Sequence, residues 1–512
     1  MNKKFYITAA IPYVNAVPHI GHALEFVQTD AIARYHKLLG EDVLMLSGGD
    51  ENALKNVQAA EKAGEGVQSF VDRNTEKFFE LTKKLHCQFD IWQKGSDQKT
   101  HHPSSQKLWE LCDKAGDIYK KTYNGLYCIG CEQFYLPSEL NEKGECFEHP
   151  GKKLETVSEE NYFFRLSKYQ KQLIELIESD KLRITPNERK NEVSSFLKEP
   201  LQDISISRTN ERAKNWGVPV PEDNTQRMYV WFDALNIYQS GIGFGRDDEK
   251  YNKWWPADLH VIGKGITRFH TVYWPAFLLS AGLELPKGIF VHGYFTVNGQ
   301  KMSKTLGNVV DPADLIEKYG ADALRYYLLA KFSPFTDGDF SEEKLRDVYN
   351  GELANGLGNM VSRVCALSGG KVPDIQADPD THPLRVDDSI HNWKRSWADV
   401  DKFLPEYQFD KAIGSVWKFI QEADKYINEN EPWKLAKTDK EKFNWVIYGL
   451  LDSIHQIAWQ IYPFLPETSI KIAKTLNVEK LLVKNPISKD SWTNIKPGTK
   501  IEPPEPLFPR LR

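Results

Sequence analysis

The sequence predicts an α/β protein up to about residue 345 and an all-helical unit beyond it, on three observations. The β-rich run Phe5–Ala10 passes through a turn into an amphipathic helix whose apolar residues recur every three or four positions. The short apolar run Val43–Leu46 ends in small and polar residues, as strands of a parallel sheet do beside a ligand. The tracts Phe409–Ile427 and Phe443–Tyr462 have helical apolar spacing, and no β-rich run follows residue 346.

Length and composition narrow the class of protein. A chain of 512 residues is too long for one core and predicts several domains. Its 41% hydrophobic and 27% charged residues are typical of a globular protein, and no run of 18 apolar residues predicts a membrane span. The first residues enter a strand at once, without an apolar leader, so we expect a cytoplasmic protein that contacts no membrane. A net charge of −5 confines any nucleic-acid contact to local basic patches.

The turn after the first strand carries His19, Gly21 and His22 at the predicted start of the first helix. A helix N-terminus has partial positive charge and free N–H groups, so it favours an anion. Gly21 allows a flat base or a phosphate to approach closely, and both imidazoles can donate hydrogen bonds to phosphate oxygens. By itself this short motif is more often only a helix cap that bears two exposed histidines.

A second polar segment follows the predicted strand at Val291–Val297. Lys301 and Lys304 lie three residues apart in a short loop with Met302 and Ser303 between them. Such a loop can close on a triphosphate whose other end lies at the helix N-terminus, although two lysines in a loop are more often simply solvated.

Four metal-ligating residues occur in the middle of the chain. Cys128, Cys131, Cys146 and His149 have the spacing Cys-x2-Cys-x14-Cys-x2-His. This spacing is typical of a closed tetrahedral Zn²⁺ site, and four protein ligands leave no open position for catalysis at the metal. The other cysteines are isolated, and six cysteines are too few for a disulfide scaffold.

The histidine and lysine segments, in this order, resemble the two signature motifs of the class I aminoacyl-tRNA synthetases, and the likeness extends to the methionyl-tRNA synthetase family over nearly the whole chain. The resemblance implies a Rossmann-like, doubly wound parallel sheet with an inserted zinc-knuckle connective domain, followed by an α-helical anticodon-binding bundle. The expected boundaries are 1–114 and 226–296 for the catalytic halves, 115–225 for the insertion, 297–345 for the lysine-loop region and 346–512 for the helical domain.

The resemblance also implies roles for particular residues. For catalysis on ATP and its Mg²⁺ the residues are His19, His22, Lys301 and Lys304, with Gly21 and Gly293 beside the nucleotide. The residues implied to bind methionine are Ile11, Tyr13, Asp50, Trp231, Ala234, Leu235, Tyr238, Ile266, His270 and Trp274. Within this set Asp50 would capture the ammonium group, and aromatic rings suit a polarizable thioether. The residues implied to read the tRNA anticodon are Asn359, Arg363, Pro432 and Trp433.

Three residues depart from the family pattern. Asn52 and Ala53 stand where relatives have His and Gly after the aspartate, and Gly265 stands where many relatives have an Asp expected to bond the ribose. The expected partners are methionine and the initiator and elongator tRNAs for methionine. Some relatives carry a C-terminal dimerising extension that this sequence lacks, so a monomer is expected.

Three alternatives share part of this pattern. A small nucleotidylyltransferase also uses the histidine motif, but it leaves the lysine loop, the cysteines and the helical tail unexplained. An inactive synthetase-like tRNA-binding module would not need His19, His22 and Lys304. A synthetase for cysteine, leucine or isoleucine would not need the aromatic set. Exchange of ATP with pyrophosphate, tested with each amino acid, separates the three.

Overall fold

The computed structural model describes residues 3–128, 133–135, 140–146, 151–152, 154–302, 307–375, 392–478 and 495–511. The strands are β1 (Lys4–Ala9), β2 (Asp42–Gly49), β3 (Ile91–Lys94), β4 (Ile118–Cys128), β5 (Gln133–Tyr135), β6 (Glu155–Phe164), β7 (Arg183–Thr185), β8 (Ile204–Ser205), β9 (Ser207–Thr209), β10 (Pro219–Val220), β11 (Asp223–Met228), β12 (Leu259–Gly263), β13 (Gly288–His292), β14 (Phe295–Val297), β15 (Gln300–Lys301) and β16 (Gly338–Phe340).

The α-helices of the described residues are α1 (Ile20–Leu38), α2 (Leu54–Ala63), α3 (Val67–Lys84), α4 (His101–Lys114), α5 (Gln170–Glu178), α6 (Asn187–Phe196), α7 (Asn210–Ala213), α8 (Val230–Leu235), α9 (Ile237–Ser240), α10 (Asp248–Trp254), α11 (Trp274–Ser280), α12 (Pro312–Tyr319), α13 (Ala321–Ala330), α14 (Glu342–Val348), α15 (Asn359–Leu367), α16 (Asn392–Phe403), α17 (Phe409–Asn430), α18 (Pro432–Thr438), α19 (Lys440–Ile461) and α20 (Pro466–Thr475). Two segments are π-helical, Phe269–Tyr273 and Tyr349–Gly358. None of the helices in these described ranges is long and apolar enough to cross a membrane.

The central sheet has six strands in the order β3-β2-β1-β12-β13-β7, and all of them run parallel. From β1 the chain moves outward through β2 and β3 on one side, while β12 and β13 lie on the other side. The strand order therefore reverses between β1 and β12, and ligands of such sheets bind beyond the carboxyl ends of the strands at that point. The predicted α/β class with a parallel sheet is confirmed.

Alternate residues of these strands enter two separate cores, because successive side chains of a strand point to opposite faces. Ile7 of β1 and Val261 of β12 belong to the core that continues into the C-terminal helices. Tyr6 and Ile262, their neighbours in sequence, belong to the core that holds the helices α8 and α11. Helices thus cover both faces of the sheet and leave its carboxyl edge for the site.

The segment 115–225 was expected to be a separate insertion, and the structure gives it a mixed character. Four of its strands form an antiparallel sheet in the order β5-β4-β6-β8. Its strand β7, however, joins the edge of the parallel sheet, where Thr185 pairs with Phe290 of β13. Part of the segment therefore forms a sheet of its own, and its strand β7 is the edge strand of the parallel sheet.

Beyond residue 345 the described elements are helices, as expected. The helix α17 begins at Phe409 and α19 ends at Ile461, close to the predicted tracts. The all-helical character predicted for the chain beyond residue 345 is confirmed.

Before this part of the chain, Asp311 caps α12 by accepting a hydrogen bond from the backbone N–H of Ala313, with Pro312 at the first helical position.

Candidate active site

Four parallel strands deliver residues to the same edge of the sheet. The segment after β1 carries Tyr13, Asp50 follows β2, and the backbones of Tyr13 and Asp50 form a parallel bridge. Gly263 ends β12 and His292 ends β13. Two predicted site residues, Tyr13 and Asp50, therefore meet at the carboxyl edge of the sheet, which is the expected place for a ligand.

His19 and His22 cap the helix α1 and hold each other in one arrangement. The backbone N–H of Gly21 donates to His19 Nδ1 at 3.1 Å, and the backbone N–H of His19 donates to His22 Nδ1 at 3.1 Å. The two rings lie 3.9 Å apart between centroids. Because each Nδ1 accepts, each ring carries its proton on Nε2, so both rings have an N–H available for a ligand oxygen.

Both imidazoles are neutral at physiological pH. Burial lowers the pKa of His19 to about 4. Burial is also the main cause that holds the pKa of His22 well below its usual value, with His19 and His292 adding smaller effects. The two histidines therefore supply hydrogen-bond donors rather than positive charge, and a cation for phosphates has to come from another segment.

The lysine-loop segment reaches the start of α1. The backbone N–H of Ile20 donates to Val310 O at 3.1 Å, and Met302 Cε lies 3.9 Å from the position that a Cβ on Gly21 would occupy. Lys301 belongs to β15, which pairs with β14. Lys304 and the side chain of Lys301 lie outside the part of the chain that is described, but the segments that flank Lys304 on both sides contact the helix of the histidines.

Two predicted glycines have close neighbours. A Cβ on Gly21 would lie 3.0 Å from His19 Cε1, so glycine lets the imidazole lie against the first turn of α1. A Cβ on Gly293 would lie 2.1 Å from Thr336 O, which is shorter than any real contact. Gly293 is therefore required by the backbone that packs beside it, independently of any role toward a nucleotide.

The predicted methionine-binding residues gather in one core, beside the edge of the sheet. Trp231 stacks on Phe269 at 3.8 Å with an interplanar angle of 5°, and Tyr13 meets Trp231 edge-on at 6.0 Å. The buried members that share this core are Trp231, Ala234, Leu235, Tyr238 and Trp274, and the half-buried ones are Ile11, Tyr13 and Ile266. Aromatic faces at these separations form a rigid apolar wall.

His270 has both ring nitrogens engaged within the protein. Its Nδ1 donates to Ile266 O at 3.0 Å, because a carbonyl only accepts, and its Nε2 accepts from the Tyr238 hydroxyl at 2.8 Å. Burial lowers the pKa of His270 to about 4, so the ring is neutral. We expected His270 to lie on one helical face with Ile266 and Trp274. The chain instead passes through a π-helical turn, and His270 fixes the orientation of Tyr238.

Two charged side chains border this aromatic wall. Asp50 is 2% exposed, and its carbonyl accepts from Asn56 Nδ2 at 2.8 Å. Lys55, in the first turn of α2, places its Nζ 2.9 Å from the centre of the Tyr13 ring. An ammonium group therefore has a favourable position against the face of Tyr13, next to the segment of Asp50.

Sequence reasoning missed several neighbours of the site. Phe269 stacks on Trp231, and its aromatic type within a cluster of aromatic residues was the available signal. Glu25 Oε2 lies 2.9 Å from His292 Nε2, which joins the second turn of α1 to the end of β13. The backbone N–H of Gly265 donates to the Tyr294 hydroxyl at 2.6 Å, and a Cβ on Gly265 would lie 2.1 Å from that oxygen. Tyr294 thus fills the space that a side chain at position 265 would need.

Two of the four predicted metal ligands are described. Cys128 and Cys146 are buried with their Sγ atoms 3.3 Å apart, too far for a disulfide bond. Two thiolates on one tetrahedral Zn²⁺ lie roughly 3.7 Å apart, so this pair fits a shared ion. Cys131 and His149 lie outside the described residues, and among the residues that are described no group of three candidate ligands occurs.

The predicted anticodon residues lie on α15, which carries Asn359 and Arg363, and at the start of α18, where Pro432 is buried and Trp433 is exposed. Glu431 ends α17 in the left-handed conformation, with φ of 44°, and Pro432 opens α18. Trp433 is 41% exposed, and the Arg363 guanidinium lies 5.7 Å from the centre of its ring. Asn359 is exposed one turn before Arg363. An accessible indole beside a guanidinium is typical of surfaces that stack single-stranded bases.

Comparison with known proteins identifies the family of this chain. Residues 5–365 match the profile of the tRNA synthetases class I (M), and residues 386–512 match the anticodon binding domain of methionyl tRNA ligase. The methionine–tRNA ligase of Thermotoga maritima is 40% identical over 99% of this chain and 80% of its own length. That of Rhizobium meliloti is 40% identical over 99% of this chain and 98% of its own length.

Solved structures agree with the sequence comparison. Mycobacterium tuberculosis methionyl-tRNA synthetase in complex with methionyl-adenylate superposes with a TM-score of 0.92, at 37% identity over 99% of this chain and 100% of that one. The apo form of the same enzyme superposes with a TM-score of 0.85, at 34% identity over 100% of this chain.

Proposed function

The chain belongs to the methionine–tRNA ligases of the class I aminoacyl-tRNA synthetases, and we propose how its residues divide the work of that reaction. The enzyme activates methionine with ATP and transfers it to tRNA. In the first step the methionine carboxylate attacks the α-phosphorus and pyrophosphate leaves. In the second, a hydroxyl of the 3′-terminal ribose of the tRNA attacks the acyl carbon of methionyl-adenylate, the bond to the phosphate breaks, and AMP leaves. Neither step needs a covalent bond to the protein, so positioning and charge stabilisation dominate.

We propose that His19 and His22 bind the phosphates through their Nε2–H groups. The observation that carries this proposal is that both Nδ1 atoms accept backbone N–H groups, which aims two neutral donors from the N-terminus of α1. Neutral donors gain strength in a water-poor site and need no proton transfer during the reaction.

Lys301 and Lys304 supply the positive charge that the neutral histidines do not. The described residues on both sides of Lys304 support this role, because Met302 lies near Gly21 and Val310 O accepts from the backbone N–H of Ile20 at the start of α1. The charge that develops on the α-phosphorus and on the leaving pyrophosphate is then matched by the lysines. Mg²⁺ enters with ATP as part of the substrate.

Methionine binds between Asp50 and the aromatic wall of Trp231. Asp50 would accept the substrate ammonium, and the Trp231, Tyr13 and Tyr238 rings would surround the thioether. The indole N–H of Trp231 is buried and has no acceptor among the described residues, which suits a weak sulfur acceptor in this place. Sulfur against aromatic rings contributes roughly 0.3–1.5 kcal/mol per contact. The rest of the methionine pocket would be lined by Ile11, Ala234, Leu235, Ile266, His270 and Trp274.

The helical domain reads the anticodon through Asn359, Arg363, Pro432 and Trp433. The exposed indole and the guanidinium beside it support base stacking, and Asn359 can read a base edge. Initiator and elongator methionine tRNAs share the anticodon CAU, so we propose that both are substrates. We also propose that the enzyme works in the cytoplasm as a monomer, and light scattering on the purified protein tests the monomer.

The Cys128 and Cys146 pair, with Cys131 and His149, would hold one structural Zn²⁺. The ion would tie the two cysteine turns of the connective segment together. The packing of Leu154 against the buried sulfurs supports a closed site rather than a catalytic one.

Exchange of ATP with pyrophosphate, measured with each of the twenty amino acids, tests the proposal. We expect methionine to support exchange, with Trp231→Leu and Asp50→Asn raising the KM for methionine while the KM for ATP changes little. Equal exchange with leucine or isoleucine, or an unchanged KM for methionine in both variants, would refute the pocket.

A further inference from the structure

A buried amide–carboxylate bond links two parts of the proposed methionine site. Asn52 Nδ2 donates to Asp233 Oδ2 at 2.6 Å and to Gly95 O at 2.8 Å. Asp233 is 2% exposed and Asn52 is 9% exposed. A hydrogen bond to a carboxylate in such a setting is short and about twice as strong as one between neutral groups.

Asn52 and Asp233 each lie two residues along the chain from a residue that is proposed to contact methionine. Asn52 follows Asp50 by two residues on the segment after β2, and Asp233 follows Trp231 by two residues on α8. The bond therefore ties the segment that presents the carboxylate for the ammonium to the helix that presents the aromatic wall. Neither residue is among those proposed to touch methionine.

His101 of α4 lies near the same oxygen of Asp233 that accepts from Asn52. His101 Nε2 lies 3.5 Å from Asp233 Oδ2, and His101 Nδ1 lies 2.9 Å from Ser240 Oγ. The other ionisable groups around this bond are Glu51 on the same segment, Asp97, His102 and Arg227. Asp233 Oδ2 therefore brings together the Asn52 amide of the segment after β2 and the His101 ring of α4.

We propose that Asn52 is a positioning residue for methionine, which sets the separation between Asp50 and Trp231 by bonding Asp233. The inference rests on the proposed function, because it takes the substrate to lie between these two residues.

The first test replaces the amide by a group that titrates. In Asn52→Asp two carboxyl groups would face each other and share a proton, which raises the pKa of one of them. At low pH the protonated carboxyl still donates to Asp233, whereas at high pH the two anions repel. We expect the KM for methionine, divided by that of the wild type, to rise about 5- to 30-fold between pH 5.5 and 8.5.

A double variant with the two side chains exchanged and a single neutral variant test the same bond without relying on Asn52→Asp alone. Asn52→Asp combined with Asp233→Asn restores an amide–carboxylate bond with the donor reversed, so its KM at pH 8.5 should fall several-fold below that of Asn52→Asp. Asn52→Ser removes the bond without adding charge, and its KM for methionine should rise about 5- to 30-fold while its KM for ATP stays within about twofold.

Asn161→Asp is the matched control. Asn161 is 1% exposed, and its Nδ2 donates to Glu159 Oε2 at 3.3 Å in the antiparallel sheet, away from the site. The same substitution there also places a carboxyl beside a carboxylate, but it should leave the KM for methionine at the wild-type value across the pH range.

The outcomes separate this inference from the proposed function. If Asn52→Asp shows no change with pH relative to the wild type, or if Asn52→Ser keeps the wild-type KM, the positioning role is wrong. If at the same time Asp50→Asn and Trp231→Leu raise the KM for methionine, the pocket stands and only this inference falls. If those two variants are also unchanged, the pocket itself is misplaced.

Discussion

Arg325 of α13 and Asp30 of α1 form a fully buried ion pair, with Arg325 Nη2 2.7 Å from Asp30 Oδ2. Arg34 Nε lies at the same distance from that carboxylate. Arg325 also donates to Phe464 O at 2.7 Å and to Pro463 O at 3.0 Å. The helix that begins with the two histidines is therefore joined, through one carboxylate and one guanidinium, to the backbone of the C-terminal helical domain.

Replacing Arg325 by leucine should destabilise this junction strongly. The change leaves Asp30 with one guanidinium and removes the donors to three carbonyl groups. Breaking a buried pair in this way costs about 3–5 kcal/mol of the free energy of unfolding. The matched control is Lys318→Leu, which breaks an exposed ion pair with Glu342 and should cost about 1 kcal/mol or less. Chemical denaturation measures both, and equal losses would contradict the prediction.

The ion pair of Asp30 and Arg325 also predicts how the free energy of unfolding depends on pH. Burial disfavours the ionised form of Asp30, but the guanidinium groups of Arg34 and Arg325 outweigh it and hold the pKa of Asp30 below its usual value. A lowered carboxyl pKa stabilises the fold above the unfolded pKa, and this stability is lost as the pH falls through the folded pKa. The difference in stability between the wild type and Arg325→Leu should therefore shrink as the pH is lowered below about 4.

Gly265 and Tyr294 should behave as a coupled pair. In Gly265→Ala the new Cβ would lie 2.1 Å from the Tyr294 hydroxyl oxygen but 3.3 Å from Tyr294 Cζ. Removing the hydroxyl with Tyr294→Phe should therefore relieve the strain of Gly265→Ala. We expect a favourable coupling of about 0.5–3 kcal/mol in a double-mutant cycle of stability. Strictly additive effects would show that the two residues do not compete for this space.

His19→Ala should slow adenylate formation by roughly 10²–10³-fold, the usual cost of one preorganised donor. Methionine binding should be little affected, and Lys304→Ala should have a similar effect. His36→Ala is the control, because His36 lies in the last turn of the same helix and stacks on Phe5. Pre-steady-state kinetics measure the rate of adenylate formation. A rate for His19→Ala within a few-fold of the wild type would exclude His19 as a donor to the phosphates.

In the wild type, adenylate formation should show no step from His19 between about pH 6 and 8, because burial lowers the pKa of His19 to about 4. Near and below that pKa, Nδ1 becomes protonated and can no longer accept from the backbone N–H of Gly21.

Purified protein should contain about one equivalent of Zn²⁺ per chain. Cys128→Ser and Cys146→Ser should each lower the zinc content, since thiolates bind this ion far better than hydroxyls. Cys365→Ser should retain the metal, because Cys365 is a buried cysteine of α15 outside the connective segment. Elemental analysis checks all three. A metal-free wild-type protein with full activity would rule out the site.

Trp433→Ala should lower kcat/KM for tRNA by about 5- to 150-fold, because stacking one base contributes about 1–3 kcal/mol. ATP–pyrophosphate exchange without tRNA should not change. Arg395→Ala is a control, since Arg395 is an exposed arginine of α16 that is not part of the proposed surface. Normal charging by Trp433→Ala, Asn359→Ala and Arg363→Ala would mean that the anticodon is read elsewhere.

The sequence by itself determined the features that depend on near neighbours in the chain. The β-rich run Phe5–Ala10 predicts a strand, and the structure has β1 at Lys4–Ala9. The Asp311-Pro312 pair predicts the start of α12. These signals are legible because side-chain direction and capping are decided within four residues.

The tertiary structure alone decided which distant segments meet. It added β7 to the edge of the parallel sheet, stacked Phe269 on Trp231, and filled the space at Gly265 with Tyr294. It also buried Arg325, a residue type that sequence reasoning places at the surface. The physical reason is that strand pairing, stacking and burial of a charge depend on contacts between segments far apart in the chain, and no local pattern records which segments those are.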